Sequence, residues 1–133
     1  MDPHRVVQLL GQDRYAQHLG VRLVEVDDRR VVLEMPVAPK HLNFLDLTHG
    51  GAVFSLADCA MSLASNGGAD RAVAIDAHLV ISGGSAEGDT LRAVAEPAIG
   101  GRTLGTHQVT VTRSDGRVVG LFTGTVLRTG PSD

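Results

Sequence analysis

Apolar and polar positions change rhythm several times along the chain. After Pro3, Val6, Val7, Leu9 and Leu10 recur near helical spacing, with Tyr15 and Leu19 behind them as far as Gly20, which predicts one short amphipathic helix. "VRLVEVDD" (21–28) and "RRVVLEMPV" (29–37) alternate on either side of an Asp-Asp-Arg corner and read as a hairpin. Residues 38–48 carry neither period and read as an ordered loop. "THGGAVFSLADCAMSLASN", Thr48 to Asn66, is apolar nearly all round from Ala52 to Ala64, the pattern of a helix wrapped by protein on most sides. Four strands follow at 72–81, 90–99, 103–113 and 118–128, separated by Gly83-Gly84, Gly100-Gly101 and "SDGR".

Consecutive strands on short turns imply antiparallel pairing. Helix, two strands, long helix, four strands therefore predict an α+β fold, one curved antiparallel sheet packed on one apolar helix. The length, 133 residues, fits a single domain over 1–133. Aromatics make up 3% of the chain against 43% for all hydrophobic residues, so the core is expected to be aliphatic. A net charge of -3, with no run of Lys or Arg, argues against a nucleic-acid partner. The lone Cys59 lies in an apolar run and reads as a reduced core thiol, which fits a cytoplasmic protein. No apolar stretch approaches the roughly 20 residues of a membrane helix, so no membrane partner is expected.

The chemistry concentrates on the long helix. Ser55, Asp58, Ser62 and Ser65, spaced by three, four and three, fall on one stripe of an otherwise apolar surface. Asp58 reads either as a paired or solvent-facing helix residue or as a general base or nucleophile whose pKa rises among apolar neighbours. At the helix start Thr48 can cap, and Gly50 and Gly51 expose backbone N–H groups that lack partners within the helix. Two glycines there fit either tight packing of the first turn on a strand or close approach of a ligand, whose developing oxyanion those donors would stabilise.

"HLNFLDLTHGGAVFSLADCAMSLASN", together with "GLFTGTVLR", resembles the hotdog-fold thioesterases of the phenylacetic-acid-degradation (PaaI) type. The arrangement Asn-x5-His-Gly-Gly-x6-Asp carries the resemblance, which covers about residues 15–129. It implies a sheet of five to six strands wrapped around the central helix and hydrolysis of an acyl-CoA thioester, small or aryl acyl groups being favoured. It implies that Asp58 activates the attacking water or attacks directly, that Asn43 helps to hold the water, and that the Gly50 amide binds the thioester carbonyl with support from His49. Gly51 and Ser62 are expected at the substrate; Ser62, one turn after Asp58, either supports it by a hydrogen bond or bonds its own helix carbonyl, and Arg102 either matches the basic residue such enzymes place near the CoA phosphates or is an exposed hairpin arginine. CoA is then part of the substrate, no further cofactor or metal is implied, and dimers assemble edge to edge and often into tetramers. Phe54 and Phe122 read as acyl-pocket or core residues. Where relatives carry a Ser or Thr followed by an Asp-aromatic-x-Arg-Pro segment, this chain has "IDAHLVISGG", placing Asp76 near the Ser/Thr position and His78 two residues on, either toward the acyl group or toward solvent.

Eight residues separate Gly50 from Asp58, about 12 Å of rise on one α-helix. If both act on one carbonyl, they must come from two copies of the helix, and the site is a subunit interface. A non-catalytic acyl-CoA binding module and a hotdog dehydratase remain as alternatives; no G-x-S-x-G elbow or HExxH pair supports serine or metal hydrolysis.

Overall fold

The computed structural model describes residues 1–132. The N-terminal helix predicted from apolar spacing is in fact two, α1 (Pro3–Gln12) and α2 (Arg14–Leu19). Asp13 divides them. Its backbone is extended and its Oδ1 accepts from Ala16 N–H at 2.9 Å, so a capping carboxylate starts a new helix where the periodicity alone continues. Asp2 and Pro3 open α1 in the same manner, and Gly20, at φ 78°, closes α2 in the left-handed region.

The hairpin β1 (Arg22–Val26) and β2 (Val31–Pro36) turns on Asp27, whose Oδ1 accepts from the amides of Arg29 and Arg30, both at 2.8 Å. The following loop contains a single 3₁₀ turn, Pro39–His41. The long helix α3 spans Gly50–Asn66, and β3 (Asp70–Ile81), β4 (Thr90–Ile99), β5 (Leu104–Thr112) and β6 (Val118–Pro131) complete the chain. All six strands form one antiparallel sheet in the order β1-β2-β4-β5-β6-β3. β3 thus leaves the hairpin sequence, pairs with β6, and occupies an edge.

Alternate residues of the central strands turn inward onto α3. Leu33, Met35, Leu91, Val109, Val111 and Phe122 pack in one cluster with Leu56, Ala60 and Met61, all of them sealed from solvent. The mostly aliphatic core leaves little room under the helix: a Cβ at Gly124 would collide with the Met61 side chain. No helix among the described residues is long and apolar enough to cross a membrane.

Two contacts fix how α3 lies along β3. A Cβ on Gly50 would stand 2.8 Å from Ile81 Cδ1, at the end of the strand. At the other end of α3, Asn66 Nδ2 donates to Ala72 O at 3.0 Å and its Oδ1 accepts from Ala72 N–H at 2.9 Å. The helix therefore runs antiparallel to the edge strand beside it.

Candidate active site

The first turn of α3 differs from expectation in its cap. His49, not Thr48, is the N-cap, and its Nδ1 accepts from Gly51 N–H at 2.8 Å. Thr48 is held elsewhere, since its buried hydroxyl accepts from Ser85 Oγ at 2.7 Å and its amide donates to Ser85 O. With Nδ1 accepting, a neutral His49 carries its proton on Nε2. Ala52 and Val53 both donate to His49 O. Gly50 N–H alone in this turn has no acceptor among the described residues, and Gly50 borders a cavity of about 380 Å³ with Asn43, Thr48, Ile81 and Ser85.

Asn43 enters that cavity from a tight loop of its own. Its Oδ1 accepts from the amides of Leu45 (2.8 Å) and Leu47 (3.2 Å), and its backbone N–H donates to Leu47 O at 2.8 Å. The carboxamide oxygen is thus spent on local structure, which leaves Nδ2 to face the cavity or solvent. Asp46 sits at φ 59°, and the loop carries Phe44 at 94% exposure.

The third turn of α3 presents the opposite chemistry. Asp58 is half-buried, and burial, followed by the nearby charge of Asp13, raises its pKa above the ordinary carboxylate value. It borders a separate cavity of about 100 Å³ with Asp13, Tyr15, Phe54, Cys59 and Ser62. Of the serine stripe, Ser55 and Ser62 border this cavity and Ser65 does not. Ser55 Oγ donates to Gly51 O at 2.7 Å and lies 3.3 Å from Tyr15 Oη, whereas Ser65 Oγ donates back to Ser62 O. No hydrogen bond among the described residues joins Ser62 to Asp58. Cys59 is buried, and its thiol is pushed up to about 12, chiefly by burial.

Phe54 borders the Asp58 cavity and also a cleft of about 480 Å³ with His49, Gly51 and Lys40, while its ring meets Phe122 edge-on at 5.5 Å. Phe122 itself is wholly core. Asp76 and His78 are exposed on β3, paired with Thr125 and Thr123, and Arg102 is exposed in the β4–β5 turn; none of the three borders the cavities at Gly50 or Asp58. Asp13, which also borders the Asp58 cavity, is not revealed by the apolar periodicity. Its signal was present, an Asp three residues before the amide it caps, but it was hidden by apolar spacing that runs straight through it. Among the described residues no cluster of three or more His, Cys, Asp or Glu could hold a metal ion.

The acyl-coenzyme A thioesterase PaaI of Escherichia coli K12 is 32% identical over 118 residues, 89% of this chain and 84% of that protein. The solved E. coli PaaI structure, from the phenylacetic acid degradation operon, superposes with a TM-score of 0.91 at 30% identity, covering 97% of this chain and 96% of that one. The chain belongs to the PaaI-type acyl-CoA thioesterases. Its fold is accordingly the hotdog fold, and its activity is hydrolysis of an acyl-CoA thioester. A Streptococcus pneumoniae thioesterase solved with coenzyme A is similar at TM-score 0.81 and 26% identity, covering 85% of this chain and 91% of that chain. No protein-family model matches the chain.

Proposed function

We propose that this PaaI-type thioesterase hydrolyses a small or aryl acyl-CoA, of the phenylacetyl or hydroxyphenylacetyl kind, at a site shared between two copies of the chain. The observation that carries this is the separation of the half-sites. Gly50 and Asp58 border cavities with no lining residue in common, and they are about 12 Å apart along the axis of one helix. A second copy brings one half-site to the other.

The edge strand β3 suits such pairing. Val73, Ile75, Val80 and Ile81 are 46% to 55% exposed on a 12-residue strand that lies at the edge of the sheet, with β6 as its neighbouring strand. An unprotected apolar edge of this length invites a second strand. Because α3 runs antiparallel to β3 with Gly50 beside Ile81, the helical rise puts Asp58 about four strand residues back along β3, near Ala77. Antiparallel pairing of two β3 edges about a two-fold near Leu79 would set Gly50 of one protomer level with Asp58 of its partner. Two such sites form per dimer, and dimers assemble into a homotetramer.

In the reaction, Asp58 takes a proton from water as the water oxygen bonds to the thioester carbon. The carbonyl electron pair moves onto oxygen, where the Gly50 N–H and the positive end of α3 hold it. Collapse breaks the carbon–sulfur bond, and the CoA thiolate recovers the proton from Asp58, giving the free acid and CoA. Asn43 Nδ2 holds the water, His49 fixes the turn that carries Gly50, Gly51 keeps that turn bare, Phe54 and Ser62 border the acyl group, and Asp76 and Arg102 meet the substrate from the dimer surface. Burial of Asp58 suits this task by bringing its basicity closer to neutral pH.

The test mixes inactive chains. Asp58→Asn and Gly50→Pro proteins are refolded together and assayed for thiol release from acetyl-, phenylacetyl-, hydroxyphenylacetyl-, benzoyl- and palmitoyl-CoA. Recovery of activity on the small or aryl substrates is expected, because one heterodimer site keeps both groups. No recovery, with heterodimers present, rules out the shared site; an active Asp58→Asn homodimer rules out Asp58 as base.

A further inference from the structure

We propose that Asp13 is a positioning residue for Asp58: a second carboxylate, fixed at the junction of α1 and α2, that shares the Asp58 cavity and holds a like charge against it. The inference rests on the reading of Asp58 as base. Its ground is geometry. The extended backbone at Asp13 and the bond from Ala16 N–H to its Oδ1 hold the side chain in place, and Oδ2 accepts from Cys59 Sγ at 3.9 Å, on the residue adjoining Asp58. Asp13 and Asp58 then border one cavity of about 100 Å³ whose other walls include the apolar Ala16, Leu19 and Phe54.

The Asp13 carboxylate, held at the same small apolar cavity, opposes ionisation of Asp58. The groups facing Asp58 are few. Asp13 comes from the α1–α2 junction, Tyr15 from α2 and Cys59 from α3 itself, the sheet contributes no lining residue, and no Lys, Arg or His lines the cavity to offset the repulsion. The direction agrees, since among the described residues the Asp13 charge adds to burial in raising Asp58. The capping bond gives this arrangement rigidity: Asp13 cannot turn away without releasing the first turn of α2.

The test exploits the cap. Asn caps a helix about as well as Asp, so Asp13→Asn removes the charge and keeps the turn, and Asp13→Ser is a second uncharged cap should Asn perturb folding. The Asp58 carboxyl is followed by carbon NMR titration, and kcat/KM for the best acyl-CoA is measured against pH. In Asp13→Asn the Asp58 titration and the acid limb of the profile are expected to move together to lower pH, with a plateau loss under about tenfold, against the roughly 10²- to 10⁴-fold loss typical of removing a general base. An unmoved titration in both uncharged variants overturns the proposal. So does a folded Asp13→Asn protein as inactive as Asp58→Asn at every pH, which would make Asp13 a base itself. The titration needs no turnover, so an inactive wild-type chain would count against the proposed function and leave this question decided by NMR.

Discussion

The first and third turns of α3 sit on the same helix yet were built by opposite means. At the first turn the backbone is stripped: two glycines, a cap that satisfies Gly51, and an amide at Gly50 left without an acceptor. At the third turn the backbone is sealed by the core and the side chain is exceptional, a carboxylate among Phe54, Cys59 and Ala16. In the proposed reaction one end would stabilise negative charge that arrives, and the other holds a carboxylate whose burial raises its pKa. A helix cannot bend one end onto the other, which is why the proposed site takes one group from each of two copies.

The sharpest way to break the comparison is at the third turn. Asp58→Asn keeps shape and removes the base, and thiol release is expected to fall by about 10² to 10⁴; a loss under tenfold would leave the carboxylate a merely structural group. Next comes the first turn. Gly50→Pro removes the N–H at a position where proline is well tolerated, and kcat is expected to drop about 10²- to 10³-fold. Gly50→Ala keeps the N–H while its Cβ presses on the movable tip of Ile81, so it should retain far more activity; equal losses in the two variants would assign Gly50 to packing alone.

A smaller effect separates the turns by stability. Because burial raises the folded-state pKa of Asp58, folding favours its protonated form; that contribution is complete below the ordinary value of 3.8 and is lost as pH rises through the folded value. Asp58→Asn should therefore melt above wild type at pH 7, and the advantage should vanish near pH 3. A thermal scan showing the same difference at both pH values would contradict desolvation as the cause. The smallest effect is at Cys59, whose buried thiol at about 12 should resist alkylation in native protein at pH 8 and label only on unfolding.

Much of the fold was legible because local rules and tertiary packing agree there. The all-round apolar run of α3 predicted a wrapped helix, and the strand alternation gave the β-elements to within a few residues of their observed bounds. The N-terminal helix was misread because Asp13 caps a new helix without disturbing apolar spacing. Thr48 was misread as the cap for a related reason. Its residue type suits the role, but only the approach of Ser85, 37 residues away, shows where its hydroxyl is engaged.

The chain by itself determined that the candidate groups Gly50 and Asp58 share one helix and how far apart they lie, since helical rise converts eight residues into about 12 Å with no further information. Tertiary structure decided what surrounds them. Whether the Gly50 amide has an acceptor, that Asp58 is half-buried, and that Asp13 stands beside it all depend on segments distant in sequence closing on α3. Position along a helix is fixed by covalent geometry, whereas solvent exposure and the charges nearby, which set basicity, exist only once the chain has packed.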